Sequence, residues 1–195
     1  MLVLGIHGSP RRGGNSEILL DLCLEAARQA GAETEKLRAS RLDISGCRAC
    51  GGCDETGECV LPDEMQRVYP LLDSAERIVL AAPIFFYSFP AQLKALIDRA
   101  QARWARRRLR HRQPGYRPAA NRRGYVQLVG ATRGRNLFQG AELSARYFYD
   151  ALEMEYCGGQ LVWRVDARGA IRQHPEELER ARELGRRLVE QAYCS

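Results

Sequence analysis

The chain has 195 residues, which suits one domain with a sizeable hydrophobic core. Hydrophobic residues make up 45% of it, which excludes a disordered chain, and no apolar run approaches the roughly 18 residues of a membrane-spanning helix. The formal net charge is +6, but ten arginines and no acid lie between Arg99 and Arg123, and the remainder carries 20 basic against 24 acidic residues. The start of the chain has no signal-peptide pattern, so we expect a cytoplasmic protein with reduced thiols.

Strand-like and helix-like segments alternate along the chain. The apolar run at residues 2–7 predicts a buried strand, and the amphipathic segment 16–31 predicts a helix that Asn15 or Ser16 caps. Residues 32–40 form a weak second strand. The later predictions are a strand over 77–83, a helix over 89–107, a strand over 124–131, a helix over 140–154, a strand over 156–165 and a helix over 174–193.

This alternation predicts an α/β fold with helices on both faces of a parallel sheet. Five strands favour a flavodoxin-like, doubly wound sheet in the order 2-1-3-4-5, within one domain over residues 1–195. Between strands 2 and 3, residues 39–66 replace a simple helical crossover with a cysteine-rich loop. Residues 99–123 form an arginine-rich extension.

The stretch "HGSPRRGGNSE" follows the first strand and opens the first helix. Such a loop directs backbone N–H groups and the helix dipole at one point, which favours an anion. Lysine is missing from the position that a nucleoside-triphosphate loop requires, and G-x-G-x-x-G is absent, so a terminal phosphomonoester such as that of FMN fits better. An ordinary glycine-rich turn remains the alternative. The candidate phosphate ligands are Ser9, Arg11 or Arg12, Gly14, Asn15 and Ser16.

A second loop, "PIFFY", follows strand 3 and lies beside the first in this strand order. Its apolar and aromatic side chains would provide a flat surface for the ring system of a flavin, although one or two of them would pack in the core. The loop after strand 4 reaches the same edge. The candidate ring contacts are Pro83, Ile84, Phe85, Phe86 and Tyr87, with Gly130, Ala131 and Thr132 at the border.

Four of the seven cysteines are spaced C-x2-C-x2-C-x5-C, at Cys47, Cys50, Cys53 and Cys59. Three closely spaced thiols with a fourth from the same loop favour ligation of one [4Fe–4S] cluster. Zinc, disulfides and an empty loop are the alternatives, and zinc sites usually pair two C-x-x-C knuckles across a longer spacer. Cys23 is expected in the core, and Cys157 and Cys194 have no evident partner.

In "GSPRRGGNSE", "CRACGGCDETGECVLPDEM" and "APIFFYSFPAQLKALIDR" the sequence resembles the iron–sulfur flavoproteins, within the wider NADPH-dependent FMN reductase group. The resemblance implies FMN near a subunit interface, a [4Fe–4S] cluster close to it, and a homodimer or homotetramer. It also implies electron transfer from reduced ferredoxin or NAD(P)H to quinones or other small acceptors. By matching positions, Ser9, Arg11, Asn15 and Ser16 would bind the phosphate, residues 83–87 the isoalloxazine, and the four loop cysteines the cluster.

The arginine-rich extension departs from that family pattern. Three interpretations are open: packing on a neighbouring subunit, docking of an acidic carrier such as ferredoxin, and binding of nucleic acid, in that order of preference. No membrane association is expected. Alternative functions are a cluster-free NAD(P)H:FMN or quinone reductase, a pure electron carrier and a zinc-dependent interaction module. No catalytic acid or base is evident, because His7 ends a strand and is expected to be buried, while His111 and His174 look exposed.

Overall fold

The computed structural model describes residues 1–190 and residue 194. Five strands and six α-helices alternate in chain order, with short 3-10 helices at Ala39–Arg41 and Ala170–Gln173. The strands are β1 (Leu2–His7), β2 (Glu33–Arg38), β3 (Arg77–Pro83), β4 (Arg123–Val129) and β5 (Glu155–Val162). The helices are α1 (Asn15–Gln29), α2 (Met65–Ser74), α3 (Ala91–Arg99), α4 (Gln101–Arg110), α5 (Gln139–Ala151) and α6 (Pro175–Glu190).

The strands form one parallel sheet in the order β2-β1-β3-β4-β5, which confirms the predicted doubly wound, flavodoxin-like topology. β3 is the central strand, and β3 and the neighbouring β4 are almost completely buried. Their nearly continuous apolar sequences suit strands that are covered on both faces.

Alternate residues of each strand pack on opposite faces of the sheet, as the two-residue period requires. Val3 and Val79 pack on the face covered by α1 and α6, together with Cys23, which is buried as predicted. Leu4 and Ile78 pack on the other face, in the larger core formed with α2, α3 and α5. The sheet is therefore the middle layer of three.

Two details of the helices differ from the predictions. The crossover from β2 to β3 is not only a loop, because α2 follows the cysteine-rich segment and buries Met65, Val68 and Leu72. The predicted helix over 89–107 is two helices that meet at Ala100. The final residues of the predicted C-terminal helix, 191–193, lie outside the described residues. In the part of the chain that is described, no helix is both long enough and apolar enough to cross a bilayer.

Cys157 and Cys194, which had no evident partner in the sequence, form a disulfide with 5.1 Å between their Cα atoms, so the expectation of reduced thiols is wrong for this pair. Glu155 lies within 4.8 Å of this pair. Because the two sulfurs are bonded to each other, they offer no thiolates for a metal at this position. The sequence could not show this pairing, since 37 positions separate the two cysteines.

Candidate functional site

Three loops meet at one edge of the sheet. β1, β3 and β4 are neighbours and run parallel, ending at His7, Pro83 and Val129. The loops that follow them therefore lie side by side, at residues 8–14, 84–90 and 130–138. This is the carboxyl edge, where ligands bind in open α/β sheets.

The first loop is held by its own backbone and by the first turn of α1. The Gly8 N–H donates to the Ala81 carbonyl at 2.8 Å, which ties the loop to β3. The Arg11 N–H donates to Oγ of Ser9 at 3.2 Å. Gly14 occupies the N-cap position of α1 without a side-chain capping bond, so the prediction that Asn15 or Ser16 caps this helix is wrong.

Asn15 instead anchors the segment between β5 and α6. Its amide donates to the Ala167 carbonyl at 3.0 Å and accepts from the Ile171 N–H at 3.2 Å. These bonds bring a fourth segment, residues 165–168, to the first loop. The role of the Asn15 side chain as a direct phosphate ligand stays a prediction, since both of its polar atoms have protein partners.

A small cavity of about 90 Å³ lies where these segments converge. It is lined by nine of the candidate residues and four that the sequence did not indicate: Ser9, Arg11, Gly14, Asn15, Ser16, Pro83, Ile84, Phe85 and Ala131, then Val129, Val165, Asp166 and Arg168. Pockets that enclose a whole drug-sized ligand measure about 300–1,000 Å³. This cavity therefore suits a head group rather than an entire cofactor.

Arg168 is the most informative of the additional residues. A Cβ placed on Gly13 would lie 3.3 Å from Nη2 of Arg168, so the guanidinium is adjacent to the loop backbone. A guanidinium can bind phosphate oxygens through two N–H groups at once. No local motif surrounds this residue, and the only available signal is its place just after β5, which ends at the same edge as the other strands.

A buried ion-pair network lies beneath the first loop. Glu17 accepts hydrogen bonds from the Gly13 N–H at 2.7 Å, from Lys36 Nζ at 2.9 Å and from Nη2 of Arg38. His7 is fully buried, as predicted, and its ring nitrogens have no hydrogen-bond partner among the described residues. Burial, followed by the charges of Lys36 and Arg38, lowers the pKa of His7 to about 4, so the ring is neutral at pH 7.

The second loop presents its aromatic side chains outward. Phe85 and Ser88 exchange backbone hydrogen bonds of 3.0 Å, and the two residues between them, Phe86 and Tyr87, have left-handed φ angles of 48° and 60°. Such angles are unusual for bulky residues, and they cluster at ligand sites. Phe86 is fully exposed, and Phe85 and Tyr87 are about half exposed, so the turn offers an apolar surface beside the small cavity.

Tyr87 joins this turn to the loop after β4. Its hydroxyl lies against Gly134, and a Cβ on Gly140 would be 2.6 Å from the Tyr87 carbonyl oxygen. Phe86, Tyr87, Gly130 and Thr132 belong to the converging loops but do not line the small cavity. Their predicted contacts with a flavin ring stay predictions.

All four loop cysteines line a second cavity, of about 430 Å³. Cys47 and Cys50 are exposed, whereas Cys53 and Cys59 are half-buried. Burial raises the pKa of Cys53, and the neighbouring Asp54 raises it further. The opposite wall is the junction of α3 and α4, through Asp98, Arg99, Gln101 and Ala102.

The spacing of the thiols bears on which metal group would fit. In residues 47–59, all of which the structure describes, no three ligand atoms lie within 4.8 Å of one another. Thiolates on one tetrahedral zinc ion, at Zn–S distances of about 2.3 Å, would be about 3.8 Å apart. Four thiols around a roomier cavity fit a polynuclear iron–sulfur core better than a single ion.

The arginine-rich extension packs on the cysteine-rich loop. Arg103 and Arg106 both form ion pairs with Glu58 of the loop and with Asp73 of α2. Arg107 pairs with Asp150 of α5. A substantial part of the basic character of α4 is therefore offset within the chain, a relationship that the separate sequence patterns did not reveal.

Helix α3 connects the two cavities. A Cβ on Gly8, in the first loop, would be 2.5 Å from Cδ2 of Leu93 near the start of this helix. Arg99, its last residue, lines the cysteine cavity. With nine residues this helix is about 13 Å long, and it joins Leu93 beside the first loop to Arg99 at the cysteine cavity.

Sequence comparisons relate this chain to known proteins. Residues 1–164 match the family model described as NADPH-dependent FMN reductase. An iron–sulfur flavoprotein of Methanosarcina thermophila is 41% identical over 100 residues, which are 51% of this chain and 52% of that protein. One from Archaeoglobus fulgidus is 38% identical over 99 residues, 51% of this chain and 45% of that protein. The matches thus span about half the length of these relatives.

Solved structures extend the likeness in fold to nearly the whole chain. An NAD(P)H:quinone oxidoreductase from Methanothermobacter marburgensis aligns with a TM-score of 0.71 and 18% identity, covering 98% of both chains. A flavone reductase aligns with a TM-score of 0.72 and 19% identity, covering 98% of this chain and 63% of that one. At these identities the likeness shows a shared fold.

Proposed function

Because this chain belongs to the NADPH-dependent FMN reductase family, we propose that it is a flavin-dependent oxidoreductase that carries FMN and a [4Fe–4S] cluster. The observation that carries the proposal is one small cavity that is lined together by the glycine-rich loop, by Arg168 and by Phe85 of the exposed aromatic turn. Phosphate and a flat apolar ring are the two parts of FMN that such a site would recognise.

The residues at the small cavity would hold the phosphate of FMN. Ser9, Ser16 and the backbone N–H groups at the start of α1 supply hydrogen bonds, and Arg11 and Arg168 supply charge. Buried Glu17, which pairs with the partly exposed Lys36 and Arg38, holds the loop through its hydrogen bond from the Gly13 N–H. His7 contributes a neutral, buried ring at this position rather than a proton donor.

The ring of FMN would lie outside the small cavity, on the turn formed by Ile84–Tyr87. Backbone hydrogen bonds fasten this turn at Ile84, Phe85 and Ser88, and Tyr87 contacts Gly134 and Gly140, so the backbone of the turn is shaped before the cofactor arrives. Such pre-organisation reduces the entropy lost on binding. The border loop, at Gly130, Ala131 and Thr132, would face the polar edge of the ring.

Cys47, Cys50, Cys53 and Cys59 would ligate the cluster, with the α3–α4 junction as the rear wall of its cavity. When bound, FMN exchanges hydride or single electrons, and the cluster exchanges single electrons, so the pair couples two-electron and one-electron reactions. The protein contributes position and exclusion of water. A cluster-free reductase, a pure electron carrier and a zinc module are the alternatives to be tested.

The partners follow from the same chemistry. We propose NAD(P)H or reduced ferredoxin as electron donor, quinones or other small molecules as acceptors, and a cytoplasmic homodimer or homotetramer with the arginine-rich extension near a subunit contact. Arg103, Arg106 and Arg107 form ion pairs within the chain, which leaves less positive charge to attract an acidic carrier or nucleic acid. Sedimentation of the full chain, with and without ferredoxin, measures the number of subunits and the binding of ferredoxin.

Anaerobic purification followed by an absorption spectrum and iron, sulfide and zinc analysis tests the function. We expect flavin peaks with a broad thiolate-to-iron band, and about four irons per chain. Flavin without iron would leave the cluster-free reductase, whereas colourless protein with one zinc would overturn the proposal. Turnover of NAD(P)H with a quinone above the rate of free flavin separates an enzyme from a pure carrier.

A further inference from the structure

Arg99 is the most deeply buried charged residue at the cysteine cavity. It is the last residue of α3, and only 1% of its side chain is exposed, yet it lines the cavity together with all four loop cysteines. A buried guanidinium costs several kcal/mol unless charge and hydrogen bonds compensate for it. The hydrogen-bond partners of the guanidinium therefore show which interactions compensate for the burial of Arg99.

One nitrogen of the guanidinium, Nη1, already has hydrogen-bond partners in the protein. Nη1 of Arg99 donates to the Ser45 carbonyl at 3.0 Å and to Oδ2 of Asp63 at 2.5 Å. Asp63 in turn accepts from the N–H groups of Ser45 and Met65. This arrangement fastens the beginning and the end of the cysteine-rich segment to the end of α3.

The other side is not satisfied by the protein. Nε and Nη2 of Arg99 are buried and have no hydrogen-bond partner among the described residues. Buried donors of this kind are rare in folded proteins unless a ligand or water accepts from them. Besides Asp63, the hydroxyl of Tyr69 and the half-buried thiol of Cys59 interact electrostatically with Arg99, so one oxygen and one sulfur atom are the further acceptors near the guanidinium.

A cluster held by four thiolates is anionic, and it becomes more so on reduction. Net charge and hydrogen bonds to the sulfurs are what set the potential of such clusters. A fixed cation with two free N–H donors therefore stabilises the reduced form more than the oxidised form. Asp63 accepts its hydrogen bond from Nη1, so Nε and Nη2 remain without an acceptor among the described residues.

We infer that Arg99 is a positioning residue for the cluster. Arg99 donates Nε–H and Nη2–H to the sulfur ligands of the cluster and thereby raises the reduction potential of the cluster. This inference rests on the proposed function, since it requires the cluster. It assigns to the first arginine of the basic segment a task different from that of Arg103 and Arg106, whose charges pair with Glu58 of the loop and Asp73 of α2.

The test is an EPR-monitored redox titration of anaerobically purified full-length protein, with iron and flavin content measured on the same samples. Arg99→Gln removes the charge, Arg99→Lys keeps it, and Asp63→Asn removes the anchor while leaving Arg99 in place. Arg107→Gln is the matched control, because it makes the same change of charge at a residue that pairs with α5 and does not line the cavity.

We expect Arg99→Gln to lower the equilibrium constant for cluster reduction about tenfold, which is about 59 mV for one electron. Arg99→Lys should recover most of that shift, and Arg107→Gln should titrate like the wild type. If Arg99→Gln keeps its cluster at the wild-type potential, the inference is overturned.

Loss of the cluster is also decisive. If Arg99→Gln loses iron but keeps flavin, while Arg99→Lys and Asp63→Asn keep their iron, the need for the cation is supported; if Arg99→Lys loses iron as well, the N–H donors of the guanidinium are what the cluster requires. If Asp63→Asn loses iron to the same extent, Arg99 acts only as an anchor of the loop and the inference fails. Wild-type protein that holds no cluster would instead contradict the [4Fe–4S] part of the proposed function. This result is distinguishable from the others because it is seen before any residue is changed.

Discussion

Gly57 of the cysteine-rich loop lies directly against Arg106 of the arginine-rich helix. A Cβ on Gly57 would be 2.5 Å from the Cβ of Arg106, and Gly57 has a left-handed φ of 73°. Two features that are separate in the sequence, the cysteine spacing and the run of arginines, are thus one structural unit. The backbone of the loop packs on α4, and Glu58 forms ion pairs with Arg103 and Arg106 beside the contact.

Gly57→Ala should therefore loosen the loop and release the cluster. A left-handed conformation costs a non-glycine residue about 1–2 kcal/mol, and the clash with Arg106 adds to it. We expect lower iron content at unchanged flavin content, and a melting temperature lower by about 2–8 °C. Gly46→Ala is the control, since Gly46 belongs to the same loop but has open space around it. Equal iron content in the two variants would contradict the packing described here.

Arg168→Gln should weaken FMN binding without affecting the fold. Arg168 lines the small cavity and is exposed, and a charge-assisted hydrogen bond contributes about 1.5–3 kcal/mol. We expect the Kd for FMN to rise at least about tenfold in a fluorescence titration of the apoprotein. Arg172→Gln, an exposed position four residues further on that does not line the cavity, should bind like the wild type. Equal Kd values for the two variants would show that Arg168 does not contact the phosphate.

Phe86→Asn should make the apoprotein more stable and a weaker flavin binder. Asparagine tolerates the φ of 48° at this position better than phenylalanine, so the relief of strain should add about 1 kcal/mol, or about 2–4 °C in melting temperature. Loss of the exposed ring removes apolar contact surface for the isoalloxazine. Phe86→Ala is the comparison, because it loses the ring and keeps the strain. If the two variants melt at the same temperature, the left-handed turn is not strained.

His7 should make the protein less stable in mild acid. Its pKa is lowered from 6.5 to about 4 in the folded state, so between these values the unfolded chain binds a proton that the folded chain does not. The stability from the neutral ring is complete above pH 6.5 and is lost as pH falls towards 4, by on the order of 3 kcal/mol.

Urea unfolding of wild type and His7→Leu at pH 7 and pH 4.5 measures this contribution. Leucine does not titrate, so the variant should lose less stability between the two pH values than the wild type does. The difference between the proteins isolates His7 from other groups that titrate in the same range. If both proteins lost the same free energy of unfolding between pH 7 and pH 4.5, protonation of His7 would not destabilise the folded state.

Much of the fold followed from local patterns. The five strands, their order and the position of the first two loops could be predicted because buried parallel strands read as apolar runs, and because right-handed crossovers restrict the possible topologies. The helix α2 was missed because Pro70 and its short apolar stripe follow directly on the cysteine segment. The break between α3 and α4 at Ala100 was missed because no proline or glycine marks it.

By itself the sequence indicated three local patterns: a glycine-rich loop of the kind that binds anions, an aromatic turn at the carboxyl edge of the sheet, and four closely spaced cysteines. Only the tertiary structure decided that Asn15 draws Arg168 to the anion loop, that Phe86 points outward, and that Arg99 stands buried behind the cysteines. The reason is that the conformation of a short motif depends mainly on residues that are adjacent in sequence. These three relationships depend on how helices and loops far apart in sequence pack around one sheet.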